Sequence, residues 1–231
     1  MSGLDAGRES TNARGPISIN AALPSNQIIT NMKTLIIIRH SEPIKDRTIK
    51  TEMLPLSDKG HIKAQNFFSL DIFRFVKAVY TSPYKRAFST AEKLNGHPIA
   101  DKRLRERDLG DPTTLNEGFW MRQYNDYGYK NKNGESLNDV RTRMTSVIDE
   151  ILSEMCDEDT VAVISHAAAI CAFLLNWCSV EVTDNQNKLR KIKYIRSVVL
   201  NGKIATPSAF VLEFENNLPR TIKYIDIEKE E

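Results

Sequence analysis

Two histidines in this chain stand just beyond short apolar runs. His40 follows the run Thr34–Ile38, with Arg39 between them, and His166 stands in the same relation to Thr160–Ile164. Runs of this kind are typical of strands that are buried on both faces of a sheet. Because ligands bind beyond the carboxyl ends of strands in open α/β sheets, we expect the two imidazoles to meet across one crevice.

A third apolar run adds a cation to the same edge. Val76–Tyr80 precedes the segment TSPYKRAFSTAEKL, which predicts a helix to about residue 94 with Ser82 as its N-cap and Pro83 in its first turn. This places Arg86 on the first turn, beside the same sheet edge. Guanidinium groups match phosphate oxygens bidentately, so two arginines and two imidazoles make a cluster suited to phosphate.

Each of these residues also has a simpler interpretation when it is taken singly. A histidine at a strand end is usually a hydrogen-bonded structural residue, and an arginine on a helix is usually a solvated charge. No packing argument requires all four cationic side chains at strand ends. Their joint placement is what favours a functional site.

The remaining pattern predicts an α/β fold, because strands alternate with helices. Ser57 is a candidate cap for a helix over residues 58–73, and Ser136 with Asp139 forms an S-x-x-D start signal for a long amphipathic helix. The further predicted elements are a helix at Ala167–Cys178 and closing strands at Ala209–Phe214 and Thr221–Ile227.

Composition excludes several classes of protein. The 231 residues include 32 lysines and arginines against 30 aspartates and glutamates, a net charge of +2, which is too small for a general nucleic-acid or membrane-surface binder. The apolar run Val161–Cys178 is interrupted by polar residues, so we expect a strand followed by a helix and no membrane span. The three cysteines match no zinc spacing and predict reduced core thiols of a cytoplasmic protein.

Two segments lie outside this regular alternation. Residues 1–31 are rich in Gly, Ser, Asn and Pro and predict a flexible tail, either native or a leader added for expression, ahead of one domain at 32–231. Residues 95–135 are polar but contain enough aromatic surface for a folded cap. Within the cap, Trp120, Tyr124 and Tyr127 are candidates to contact a leaving group, although packing within the cap is the favoured interpretation.

The sequence resembles the histidine phosphatase superfamily, also called the phosphoglycerate-mutase-like family. The matching segments occur in the order of the family's motifs: LIIIRHSE (35–42), LPLSDKGHIKAQ (54–65), VYTSPYKRAFSTAEKL (79–94), LRERDLG (104–110), NGESLNDVRTRM (133–144) and VAVISHAAAI (161–170). The resemblance implies a three-layer α/β/α sandwich with a mostly parallel central sheet and a small cap insertion.

The resemblance also implies a role for each matching residue. His40 would be the nucleophile that accepts the phosphoryl group, and Arg39, Arg86 and His166 would bind the phosphate oxygens. Glu106 would be the general acid, and the catalytic set would be His40, Glu106 and His166. Phosphoryl transfer requires mostly positioning and charge stabilisation, which these side chains can supply. No metal or other cofactor is implied.

The chain departs from the family pattern beside the nucleophile. Ser41 replaces the glycine of the R-H-G motif, and Asp46 stands where many members have a phosphate-contacting asparagine. A carboxylate repels phosphate, so we expect Arg47, Thr48 or the backbone to supply that contact. Ser41 can add a hydroxyl contact beside His40. Ser41 and Arg47 are therefore candidate substrate contacts.

The expected activity is metal-independent hydrolysis of phosphomonoesters through phosphohistidine. One alternative is a phosphoglycerate-mutase-type phosphotransferase, disfavoured because the chain has ERDLG and SEPIKDRT where mutases carry E-R-H-Y-G and a longer loop. A second alternative is a non-catalytic phosphate-binding domain. The expected partner is a small phosphorylated substrate or a phosphoprotein, without nucleic acid or membrane. The substrate and the oligomeric state are left open.

Overall fold

The computed structural model describes residues 32–115 and 118–227, so the predicted N-terminal tail lies outside the described residues. A six-stranded sheet runs through the centre. Its strands are β1 (Met32–Arg39), β2 (Val76–Thr81), β3 (Ile99–Ala100), β4 (Thr160–Ser165), β8 (Ser208–Glu215) and β9 (Leu218–Asp226). They lie in the order β3-β2-β4-β1-β8-β9. The strands β1 to β4 are mutually parallel, β8 is antiparallel to β1, and β9 is antiparallel to β8.

The two central strands are buried on both faces, as their continuous apolar runs predict. Leu35 and Ile37 of β1 belong to one core cluster, while Ile36 and Ile38 belong to another. Successive side chains of a strand point to opposite faces, so this alternation places one core on each side of the sheet. The sheet is the middle layer of an α/β/α sandwich, and the predicted fold class is confirmed.

Helices cover both faces of the sheet. The helices are α1 (Asp58–Phe68), α2 (Lys85–Ala91), α3 (Phe119–Asn125), α4 (Leu137–Glu154) and α5 (Ala167–Leu174), with short 3₁₀ helices at Thr51–Met53, Asp71–Phe73, Lys102–Leu104 and Pro112–Thr114. The helices α4 and α5 pack on the first core and α1 and α2 on the second. Ser136 and Asp139 form a reciprocal capping box at the start of α4, as their spacing predicts.

Two predicted helices in the first half of the chain have different bounds in the structure. The helix predicted over 58–73 ends at Phe68, because the Ser69 side chain donates to the carbonyl of Asn66 and Leu70 is extended. The helix expected from Ser82 begins only at Lys85. The Ser82 hydroxyl instead accepts a bond from the backbone N–H of Tyr84, which holds the chain in a turn before the helix.

The sequence prediction missed a second, three-stranded antiparallel sheet. It consists of β5 (Cys178–Asp184), β6 (Leu189–Tyr194) and β7 (Ser197–Gly202) in that order. The helix predicted at 167–178 therefore ends at Leu174, because Cys178 already pairs with Tyr194 in this sheet. Ile192 and Leu200 bury one side of the sheet against the first core.

The prediction that all three cysteines are core thiols is wrong for one of them. Cys171 and Cys178 are buried, but Cys156 is exposed in the loop after α4. It lies outside the helix because α4 ends at Glu154, before the apolar run of β4 begins. In the described part of the chain, no helix combines the length and apolar character that a membrane crossing requires.

Candidate active site

The parallel pairing of β1 and β4 brings the two strand-end histidines together. Arg39 is in register with Ser165, and the backbone N–H of His40 donates to the Ser165 carbonyl at 3.0 Å. Each histidine is the first residue beyond its strand, and the two ring centroids are 5.0 Å apart. The two imidazoles therefore meet at the carboxyl edge of the sheet, as the sequence predicts.

The hydrogen bonds of His40 define its tautomer. Its Nδ1 lies 2.7 Å from the Ser41 carbonyl oxygen, which can only accept, so Nδ1 carries the proton. Its Nε2 lies 3.1 Å from Nε of Arg86, which can only donate. The lone pair of the imidazole is therefore on Nε2 and points toward the guanidinium.

His166 is fixed in the same way on the other side of Arg86. Its Nδ1 accepts from Nη2 of Arg86 at 3.1 Å, so its Nε2 carries the proton and donates to the Ser82 hydroxyl at 2.8 Å. One planar guanidinium thus bridges both imidazoles. Arg86 lies on the first turn of α2, as predicted, and also stacks over the ring of Tyr84.

Burial keeps both imidazoles neutral. The pKa of His40 is lowered well below its ordinary value, first by burial and then by the positive charges of Arg86 and Arg39. The pKa of His166 is lowered well below its ordinary value by burial, then by His40 and Arg86. A neutral imidazole with an unprotonated Nε2 is the form of His40 that can act as a nucleophile.

Arg39 enters the site from the last position of β1. Its Nη1 donates to the carbonyl of Ile204, while its Nε is buried without a hydrogen-bond partner among the described residues. Burial lowers the pKa of Arg39, although the charge of Glu106 opposes this. A buried guanidinium nitrogen without a partner is a donor available to an anion.

Glu106 is anchored at the same edge by backbone contacts. Its Oε1 accepts from the N–H groups of Arg107 at 2.8 Å and of Ala169, in the first turn of α5, at 3.1 Å. The preceding segment is tied to β4, because the Ser165 hydroxyl donates to the Leu104 carbonyl at 2.8 Å. The carboxyl group is therefore held beside Arg39, and both line one cavity.

That cavity has a volume of about 340 Å³. Its lining includes Arg39, Glu106 and the start of α5, at Ala167 and Ala168. Neither histidine lines the cavity, since His40 is 6% exposed and His166 is fully buried. Arg86 covers Nε2 of His40 and is held over it by the carbonyl of Thr51.

The two candidate substrate contacts from the sequence do not reach this cavity. Ser41 is fully buried, and its hydroxyl donates to the carbonyl of Gly60 at 2.7 Å, so it ties the loop to α1. Arg47 is exposed and does not line the cavity. The carboxylate of Asp46 accepts from the N–H and the hydroxyl of Thr48, which keeps it within its own loop.

The cavity contains both residues that the sequence analysis singled out and residues that it did not. Of the three aromatic candidates, Trp120 and Tyr124 line the cavity, whereas Tyr127 packs against the first core. Arg107, which the sequence analysis did not single out, also lines it, together with residues of the second sheet. The LRERDLG motif contains Arg107, but nothing in the sequence predicts that strand β6 returns to the same cavity.

Comparison with known proteins agrees with this geometry. Residues 35–196 match the family model of the histidine phosphatase superfamily (branch 1). The chain belongs to this superfamily. A search of curated proteins found no match.

Solved structures with the same fold include phosphatases and a mutase. Mycobacterial glucosyl-3-phosphoglycerate phosphatase is 21% identical, with a TM-score of 0.59 over 84% of this chain and 96% of that one. A phosphoglycerate mutase from Bacillus anthracis is 17% identical, with a TM-score of 0.58 over 85% and 94%. A phosphoserine phosphatase mutant from Entamoeba histolytica is 16% identical, with a TM-score of 0.56 over 83% and 96%. At these identities the likeness establishes the fold.

Proposed function

We propose that this protein is a metal-independent phosphatase that hydrolyses phosphomonoesters through a phosphohistidine on His40. The observation that carries the proposal is the buried pair of neutral imidazoles bridged by Arg86, with His40 Nε2 unprotonated. The superfamily match and the phosphatases among the structural neighbours support the reaction class.

In the first step, Nε2 of His40 forms a bond to phosphorus as the bond to the leaving oxygen breaks. Arg86 exchanges its contact with Nε2 for a phosphate oxygen, and the unpartnered Nε of Arg39 binds another. His166 exchanges the contact of its Nε2–H with the Ser82 hydroxyl for a further phosphoryl oxygen. A protonated Glu106 gives its proton to the leaving oxygen, so the departing alcohol is neutral.

In the second step, water attacks the phosphoryl group of phosphohistidine. Glu106, now a carboxylate, takes a proton from this water as the N–P bond breaks, which returns His40 and releases inorganic phosphate. The guanidinium groups supply the positive charge that stabilises the equatorial oxygens in both steps. The pre-set tautomer of His40 lets the same nitrogen attack and leave without rearrangement of the ring.

The direct test is hydrolysis of an aryl phosphate by the purified protein, with and without a chelator. We expect chelator-insensitive turnover that His40→Ala abolishes. His97→Ala is the matched control, since His97 is an exposed histidine outside the site. Wild-type turnover in His40→Ala, or loss of turnover with chelator, would contradict the proposal.

A phosphoglycerate-mutase-type phosphotransferase is the second candidate, because one structural neighbour is titled a phosphoglycerate mutase. The same phosphohistidine would then pass its group to a second substrate instead of water. Measuring phosphate release beside bisphosphoglycerate-dependent mutase activity separates the two. We expect phosphate release to be faster, whereas a faster bisphosphoglycerate-dependent transfer would favour the mutase. A non-catalytic phosphate-binding domain would bind phosphate esters without either activity.

A further inference from the structure

Ser41 is the residue beside His40 at which the chain departs from the R-H-G motif, and the proposed reaction gives it no role. It is fully buried, and each of its polar groups has a partner. Its carbonyl accepts from Nδ1 of His40 at 2.7 Å, and its hydroxyl donates to the Gly60 carbonyl at 2.7 Å. Its N–H donates to the Thr90 hydroxyl at 3.0 Å. A residue that is held at three points has little freedom to reorient.

Two helices hold Ser41 from different directions. Gly60 belongs to α1, and Thr90 belongs to α2. The Thr90 hydroxyl in turn donates to the carbonyl of Arg86 at 2.7 Å, one turn earlier on the same helix. The residue that accepts the Nδ1 proton of His40 is therefore tied to the helix that carries Arg86, as well as to α1.

The loop after His40 also approaches α1 very closely. A Cβ at residue 60 would lie 2.0 Å from the carbonyl oxygen of Glu42, so this approach requires a glycine in the helix. The same Glu42 carbonyl accepts from the N–H of Ser57 at 3.0 Å. The peptide group between Ser41 and Glu42, which contains the Ser41 carbonyl, is thus fixed on both sides.

The proposed reaction makes this carbonyl more important than it is in the resting structure. At rest, the Ser41 carbonyl and Nε of Arg86 both fix the tautomer of His40. In the proposed first step, Arg86 gives up its contact with Nε2 for a phosphate oxygen. Within the part of the chain that the structure describes, the bond to the Ser41 carbonyl is then the ring hydrogen bond that keeps the proton on Nδ1. An imidazole with its proton on Nε2 cannot attack phosphorus through that nitrogen.

We propose that Ser41 is a positioning residue for His40. The bond of its hydroxyl to the Gly60 carbonyl holds its own carbonyl as the acceptor of the Nδ1 proton, and so preserves the reactive tautomer while Arg86 binds the phosphate. The inference rests on the proposed phosphatase function and adds a residue to it. A glycine at this position, as in the R-H-G motif, has no hydroxyl for this bond and has more backbone freedom.

The first test is kinetic and uses Ser41→Ala, which removes the hydroxyl and keeps the Cβ. We expect the rate of the phosphorylation burst with an aryl phosphate to fall about 2- to 10-fold, the effect of losing one neutral hydrogen bond. The inhibition constant of inorganic phosphate should stay unchanged, because Arg39, Arg86 and His166 still bind its oxygens.

The second test is spectroscopic and separates positioning from a general loss of stability. His40 donates through Nδ1, and His166 donates through Nε2 to the Ser82 hydroxyl, so each ring has one buried proton whose exchange with solvent can be followed by NMR. Ser41→Ala should speed the exchange of the His40 proton about 2- to 10-fold and leave that of His166 unchanged. A general loss of stability would speed both.

Ser153→Ala is the matched control. The Ser153 hydroxyl also donates to a backbone carbonyl at 2.7 Å, that of Glu150, but at an exposed position near the end of α4. We expect this variant to keep the burst rate and both exchange rates. Ser41→Gly is a second variant that removes the same hydroxyl, and it should lower the burst rate at least as much as Ser41→Ala.

A wild-type burst rate in Ser41→Ala and Ser41→Gly would overturn the inference. So would a lowered burst rate with exchange of both ring protons accelerated to the same extent. Failure of the proposed function is separately visible. The wild-type protein would then show no burst and no aryl phosphate hydrolysis, while Ser41→Ala would still accelerate the exchange of the His40 proton alone.

Discussion

Two regions of the candidate site are built in opposite ways. The region at the sheet edge is made by residues immediately beyond parallel strands, and its imidazoles are buried and held by hydrogen bonds to Arg86. The outer region is the part of the cavity lining that comes from α3 and the second sheet, which are partly exposed elements from distant parts of the chain. We therefore propose that the chemistry takes place at the sheet edge and that the outer region selects the substrate.

The difference predicts which kinetic or thermodynamic quantity each substitution changes. Substitutions at the sheet edge should lower turnover for every phosphate ester. Substitutions in the outer region should change the relative affinity of substrates, or only the stability of the second sheet.

Glu106→Gln should have the largest of these effects, and the effect should depend on the leaving group. We expect kcat/KM to fall by about 10²–10⁴-fold for an alkyl phosphate, which needs a protonated leaving oxygen. A nitrophenyl phosphate, with a good leaving group, should lose much less in the phosphorylation step. Steady-state kinetics and the phosphorylation burst on both esters measure this, and equal losses in the burst rate would argue against a general acid.

Arg86→Lys should lower kcat/KM by about 10- to 100-fold for all esters. Lysine keeps the charge but cannot bridge both imidazoles with a planar fork, so at least one charge-assisted hydrogen bond is lost. Lys85→Arg, at an exposed position on the same helix, is the control. If Arg86→Lys retained full activity on every ester tested, the guanidinium bridge would have no catalytic role.

The two buried histidines should make stability depend on pH. Their pKa values are lowered in the folded protein, so below about pH 6.5 the unfolded chain binds more protons. The free energy of unfolding should therefore keep its full value above that pH and decrease as the pH falls below it. Denaturant titrations at pH 7.5 and 5.5 measure the decrease.

A histidine variant separates this effect from other titrating groups. His166→Asn should reduce the difference in unfolding free energy between the two pH values, whereas His97→Asn should leave it unchanged. An undiminished difference in His166→Asn would show that the buried imidazole does not contribute to it.

The site residues at the sheet edge can be predicted from the sequence because continuous apolar runs mark the strands that precede them. The runs before His40 and His166 predict buried strands, and parallel strands must end at the same edge. The prediction that Glu106 belongs to the site depends on the family resemblance. A charged residue after a short 3₁₀ helix forms no sequence pattern that would identify it.

The outer region could not be predicted because its position is set by tertiary packing. Strand β5 alternates apolar and polar residues, but β6 has adjacent charged residues and β7 adjacent apolar ones, so the pattern leaves open what the apolar face packs against. Ser41 shows the same limit beside His40. The sequence makes Ser41 a candidate substrate contact, whereas in the structure its hydroxyl donates to the carbonyl of Gly60, because successive residues can point in opposite directions.

The smallest predicted effect lies in the second sheet, at the turn between β6 and β7. Ile195 has φ 54° and is 78% exposed, a left-handed conformation that is unfavourable for a β-branched side chain. Ile195→Asn should raise the free energy of unfolding by about 1 kcal/mol and Tm by roughly 2–4 °C, with aryl phosphate turnover unchanged. Val198→Asn, also exposed but on β7, should give no gain. A loss of stability in Ile195→Asn would refute the strain at this turn.

The central claim is that His40 carries the phosphoryl group as a covalent intermediate. The direct measurement is to mix the protein with an aryl phosphate, stop the reaction in alkaline denaturant, and locate the added group by peptide mass spectrometry. We predict one phosphoryl group on His40 and none on His61, His97 or His166. An adduct on another residue would contradict the account. So would the absence of an adduct on His40 under conditions where a burst of product release shows that an intermediate accumulates.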